Sequence, residues 1–136
     1  LSRGLGDVYK RQVEIQYGDK CDEQDIVREQ VPTVYVGWDS REDIAYKVCE
    51  YSIHNHNKDV NVFPIKQHEV IQNNLYWRDP DKFSSTEFTF TRFLVPYLSN
   101  YQGWAIFTDC DFLFLDDVKK VFEIFYLHTW LADIFG

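Results

Sequence analysis

The chain reads as an α/β fold, a mostly parallel sheet flanked by helices, and three observations predict it. Short apolar runs rich in β-branched and aromatic residues recur at Thr33–Gly37, 60–65 and Ala105–Thr108. Stretches with helical spacing separate them, so strand-helix-strand-loop-helix-strand is the expected order, which calls for crossovers between parallel strands. Two polar clusters, Gly37-Trp38-Asp39 and Asp109-Cys110-Asp111, fall at strand carboxyl ends, where such sheets bind ligands.

Residues 1–12 lack periodicity and read as a non-native leader, and residues 13–31 as a polar, charged lead-in with a short apolar showing at Val13 and Ile15. Pro32 precedes the first strand, Thr33–Gly37. Asp39 or Ser40 is expected to cap the next helix, with Glu42 and Asp43 in its first turn, where they favour its dipole. Ile44, Ala45, Val48, Cys49, Ser52 and Ile53 follow helical spacing, and the polar run at 54–58 ends that helix. A second strand covers 60–65 and a loop runs on through Lys82. Residues 87–98 read as a helix capped by Ser84 or Ser85 and bent or ended by Pro96. Ala105–Thr108 is the third strand, and 118–125 begins another helix. The tail at 125–135 is apolar with no terminating cap. It reads as a helix without its partners or as a reading-frame error, and the chain as a truncated fragment.

Composition narrows the function classes. With 136 residues, 45% of them hydrophobic and 18% aromatic, the chain is at most one domain with ample material for a core. A net charge of −8 argues against a nucleic-acid partner. It leaves a nucleotide ligand open, because a divalent cation supplies positive charge locally. The cysteines Cys21, Cys49 and Cys110 are odd in number and lack C-x-x-C spacing, which points to reduced thiols and a cytosolic setting. No apolar run approaches a membrane span, and no signal peptide opens the chain.

The acidic motif carries the chemistry. Alternation along an extended chain predicts Asp109 and Asp111 on one face and Cys110 on the other. Adjacent carboxylates at the end of a buried strand repel, and a hard cation such as Mn²⁺ or Mg²⁺ between them relieves this while leaving positions for phosphate. The plainer reading is a solvated turn, as for Asp79-Pro80-Asp81, where proline and polar neighbours predict just that. The apolar runs on both sides of Asp109-Cys110-Asp111 favour the metal-phosphate reading.

Three segments in order, 34–42, 85–97 and 103–111, resemble bacterial glycosyltransferases of the GT-A fold, nearest the family-8-like group. The resemblance covers roughly residues 32 to 118 and implies that 32–136 is the N-terminal, nucleotide-binding part of a Rossmann-like nucleotide-diphospho-sugar transferase domain. It implies that Asp109 and Asp111 hold Mn²⁺ or Mg²⁺ bridging the donor's diphosphate. Val36, Gly37, Trp38 and Asp39 would cradle base and ribose, with Asp39 accepting hydrogen bonds. Arg92 would turn toward the donor sugar or a motif carboxylate. The partners implied are a nucleotide-diphosphate sugar and a saccharide, lipid or protein acceptor, in the cytoplasm or peripheral to the inner face of the membrane. Relatives of this kind place a further metal ligand and most acceptor contacts after the acidic motif, in a part absent here. No general base or nucleophile can be named, so the fragment alone is expected to be inactive.

Each position has a plain alternative. Trp38 could cover the sheet edge, Asp39 cap a helix, and Arg92 pair with Glu87 or a surface acid. His54 and His56 read as solvated, Tyr76-Trp77-Arg78 as core or lid packing before sugar stacking, and Ser84, Ser85 and Thr86 as capping residues. Two rival classes remain. A haloacid-dehalogenase-like phosphatase would use Asp109 as nucleophile, although Phe112-Leu113 follows where such motifs carry small residues. A non-catalytic binding module with a degenerate site is the other.

Overall fold

The computed structural model describes residues 31–78 and 83–135, with the backbone alone for 129–135. The leader at 1–12, all of the lead-in except Val31, Cys21 and the Asp79-Pro80-Asp81 turn lie outside the described residues. The fold is α/β. Three strands, β1 (Thr33–Gly37), β2 (Asn61–Ile65) and β3 (Ala105–Thr108), form one parallel sheet in the order β2-β1-β3. Helix α1 (Asp43–His56) links β1 to β2. Helix α2 (Gln67–Gln72), a 3₁₀ turn at Thr91–Leu94 and the single-turn α3 (Val95–Leu98) lie between β2 and β3, and α4 (Lys119–Phe135) follows.

The central strand explains the layering. Alternate side chains of β1 point to opposite faces, and both faces are covered, so Val34, Tyr35 and Val36 are all buried. Val34 and Val36 join Cys49 and Ile53 of α1, Phe88, Cys110, Val118 and Phe122 of α4 in one core. Tyr35 packs with Ile65, Val70 of α2 and Leu98 of α3 in the other. The connection from β1 to β2 runs one way with α1 on the first face. The connection to β3 crosses back over β1 with α2 and α3 on the second. A single crossover hand requires that pairing of direction and face.

Several local expectations need correction. Helix α1 starts later than an Asp39 or Ser40 cap would place it; its N-cap is Glu42, which makes no side-chain capping bond. Ile44 and Val48, assigned to the core-facing stripe, are 78% and 50% exposed, while Tyr46 takes the buried place. The stripe is rotated because Cys49, Ser52 and Ile53 set the inner face. The loop expected through Lys82 contains α2, and the helix expected at 87–98 is divided. Residues 87–90 are turns, followed by the 3₁₀ turn and then α3, with Pro96 in the first turn of α3. Proline fits a helix start better than its interior. The chain leaves α3 through Asn100 and Tyr101, at φ 55° and 57°, and Gly103 at φ 64°, a left-handed exit that stops the helix and turns the backbone into β3.

Candidate functional site

All three strands are parallel, so their carboxyl ends share one edge. The strand order reverses at β1, which makes the gap between the ends of β1 and β3 the switch point where open α/β sheets take ligands. Val36 and Thr108 are the last paired residues across that gap. Gly37 and Asp109 come next on each side, so the topology brings both sequence clusters to one place.

Gly37 is there because nothing larger fits. A Cβ on it would lie 2.5 Å from the Phe88 ring and 3.0 Å from that of Phe107. Phe88 therefore lies directly across the end of β1, its ring 6.4 Å from Phe107. Arg92 follows one helical turn later. Its backbone N–H and Nε both donate to the Phe88 carbonyl, at 3.3 and 3.4 Å. Its guanidinium lies 5.6 Å from the Phe88 ring and 5.3 Å from the Phe107 ring, a cation–π arrangement that fixes the side chain from below. Its Nη2 stands 3.6 Å from Asp109 Oδ1, an ion pair slightly longer than a hydrogen bond.

The acidic motif is a turn rather than strand: β3 stops at Thr108, and Asp109-Cys110-Asp111 bends away from it. Cys110 is buried, while Asp109 is partly exposed and Asp111 exposed. The Cys110 thiol donates to Glu42 Oε2 at 3.2 Å. Burial first, and then that carboxylate, push the thiol up to about 12. Burial pushes Cys49 up to about 11, with the negative charge of Asp111 adding to it. Both thiols are free and protonated at neutral pH.

Asp39 is placed differently from its neighbours on this edge. It is fully buried, and its carboxylate takes four hydrogen bonds. Oδ1 accepts from Arg41 N and Nε at 2.9 Å each, and Oδ2 from Arg41 Nη2 at 2.6 Å and Glu87 N at 3.1 Å. Arg41, through its side-chain bonds, holds the carboxyl well below the usual range against the opposing effect of burial. An ionised carboxylate has about four acceptor positions, and here the protein fills them. Asp39 organises this edge rather than presenting free oxygens to it.

Trp38 flanks the other side of β1. Its indole N–H donates to Asp43 Oδ1 at 3.0 Å, His68 meets it edge-on at 5.7 Å between centroids, and Lys66 Nζ lies 5.5 Å from the ring centroid. Val36 is buried and contributes backbone only. The structure thus brings Val36, Gly37, Trp38, Asp39, Arg92, Asp109 and Asp111 to one edge. Arg41, Phe88 and Lys66 join them without a sign of their own in the sequence, together with Glu42, read there only as a first-turn acid, and Glu87, read there as an alternative partner of Arg92 but bonded instead to Ser40. For Phe88 alone the sequence carries an indirect sign, the glycine ending an otherwise bulky strand, which implies something large packed over it. Among the described residues no three His, Cys, Asp or Glu side chains converge as a metal-binding group. No helix among them is long and apolar enough to cross a membrane.

Comparison with known proteins finds a relative in Arabidopsis thaliana, Protein CDI. It is 49% identical over 92 residues, which is 67% of this chain and 36% of the relative. Its name states no activity. The chain spans little more than a third of that relative's length. No family model matches the chain, and no solved structure does. The placement among bacterial family-8-like glycosyltransferases is therefore corrected: a relative that this chain matches at 49% identity comes from a plant, and no family model supports the bacterial assignment.

Proposed function

We propose that this sheet edge binds a nucleotide-diphosphate sugar and belongs to a metal-dependent glycosyltransferase acting in the cytoplasm on a saccharide, lipid or protein acceptor. One observation carries the reading: Arg92 approaches Asp109 at the switch point, beside the exposed Asp111 and the glycine-ended β1. A guanidinium fork and two carboxylates suit a diphosphate and its counter-ion together. Mg²⁺ and Mn²⁺ sites often use one or two carboxylates and complete their shells with phosphate and water, so the two-aspartate donor set fits such an ion.

Asp109 and Asp111 would hold the ion, and the residues of β1 would border the nucleotide. Bound there, a divalent ion offsets the charge that a departing nucleoside diphosphate acquires. Arg92 orients the donor, Gly37 leaves the room across the end of β1 that Phe88 fills, and Trp38 offers a ring at the rim. Asp39 supports the loop from within.

Thermal-shift titration of the folded chain with UDP or GDP and their sugar conjugates, with and without Mn²⁺, tests this reading. Stabilisation that needs both the ion and one nucleotide, and disappears in Asp111→Asn, is the expected result. A well-folded protein that responds to no combination overturns it. Trapping of a phosphoenzyme on Asp109 would replace it with a phosphatase.

A further inference from the structure

The segment at 83–90 crosses the ends of the strands, yet it contains no helix or strand. Backbone without a ladder of its own takes its position from tertiary bonds. Besides local turn bonds among Ser84, Thr86 and Thr89 and the Arg78 guanidinium over the Phe90 ring, its long-range hydrogen bonds at Ser85 and Glu87 come from the loop after β1. Arg41 Nη2 donates to the Ser85 carbonyl at 2.8 Å, and Glu87 N donates to Asp39 Oδ2 at 3.1 Å. Ser40 donates to the Glu87 carboxylate twice, from N at 3.3 Å and from Oγ at 2.5 Å. The next residue, Phe88, holds Arg92 through its carbonyl and its ring, and Arg92 faces Asp109.

We infer that the Asp39–Arg41 pair is a positioning latch. Through Glu87 and Phe88 it sets Arg92 against Asp109, and so fixes how tightly the edge takes a divalent ion with a nucleoside diphosphate. The inference rests on the nucleotide-sugar reading for its ligand, but not for its geometry. Asp39 and Arg41 touch no ligand in this scheme. Their fork-to-carboxylate pairing is directional, so a lysine at position 41 can satisfy only part of it.

Two measurements on Arg41→Met, Arg41→Lys, Arg92→Met and the Arg41→Met/Arg92→Met double variant test the latch. The first is amide hydrogen exchange. Arg41→Met should lose protection at residues 85–92 while residues 34–36 in β1 keep theirs, and Arg41→Lys should fall between it and wild type. The second is affinity for Mn²⁺ with UDP or GDP. Arg41→Met should weaken it by roughly tenfold, a coupling of ordinary size. The double variant should lose no more than Arg92→Met alone, because the latch acts through Arg92. Fully additive losses, or unchanged affinity in a variant whose 85–92 segment has loosened, overturn the latch. Unchanged exchange at 85–92 overturns it too, and Arg41→Lys answers the question if Arg41→Met does not fold. A wild-type protein that binds no nucleotide sinks the parent reading and the ligand part of this one. The exchange experiment then decides the latch by itself.

Discussion

The loops that leave β1 and β3 stand side by side and use aspartate in opposite ways. Asp39 is wholly buried, with every acceptor position engaged by Arg41 and Glu87. Across the gap, the Asp109 side chain is 41% exposed with Arg92 at 3.6 Å, and Asp111 is exposed. A carboxylate saturated by protein donors holds a structure together, because removing a donor strands a buried charge. A carboxylate left half-paired in water contributes little to the fold and remains available to a ligand. The two loops of this edge thus differ: the β1 loop spends its aspartate on the fold, and the β3 loop leaves its two aspartates at least partly exposed.

The largest losses are expected where the β1 loop and its neighbours are disturbed. Gly37→Ala places a methyl group against Phe88 and Phe107, and overpacking of this kind costs about 3 kcal/mol. Urea denaturation should register it. Shrinking the obstacle with Phe88→Leu in the same chain should return part of the loss; no return would mean that Phe88 is not what Gly37 accommodates. Next in size is Asp39→Asn, which puts an amide where Arg41 and Glu87 N–H require acceptors, at about 2 kcal/mol.

That second variant also carries a pH signature. The native Asp39 carboxyl lies below its ordinary value of 3.8, so folding favours the ionised form. Its contribution is fully present above that ordinary value and is lost as pH falls through the lower native one. The stability gap between wild type and Asp39→Asn should therefore stay constant from pH 5 upward and shrink on acidification below 3.8. A gap that stays flat into acid would mean that Asp39 is not held as an ion.

The strands were readable from the chain because each is a short apolar run between polar breaks. Thr33–Gly37 and Ala105–Thr108 have the expected bounds, and Asn61–Ile65 is one residue shorter. Non-local partners are what periodicity could not supply. Ser84 and Ser85 looked like helix caps, yet Ser85 offers its carbonyl to Arg41, and Glu87 spends its carboxylate on Ser40. Those bonds join residues more than forty positions apart, and they hold 87–90 in turns instead of helix. Asp39 stands out in the sequence as a polar residue at a strand end. A lone aspartate after a strand gives no sign that an arginine two residues later will take its whole carboxylate.

The thiols sharpen the contrast from below the motif. Between Asp109 and Asp111, Cys110 is sealed in the core with Cys49. Cys49 moves from 9.0 to about 11, which leaves about a hundredfold less thiolate near neutral pH. Both cysteines should resist alkylation at pH 8 in the native protein and react promptly in urea, as followed by peptide mass mapping. Rapid native labelling of Cys110 would show that the acidic turn opens. These raised values also mean that their contribution to stability is complete below 9.0 and is lost as pH rises toward 11 to 12.

The smallest effect on stability is expected in the β3 loop, and it is the most discriminating. Asp111→Asn removes an exposed charge that adds to the field on Cys49 and Cys110. It breaks none of the hydrogen bonds that hold β1 to the 85–92 segment. Its effect on unfolding free energy should stay within about 0.5 kcal/mol, against about 2 kcal/mol for Asp39→Asn. Ligand response should run the other way, with ion-dependent nucleotide binding abolished in Asp111→Asn. If Asp111→Asn instead unfolds the protein as readily as Asp39→Asn does, the β3 loop is structural as well, and the division of labour between the two loops fails.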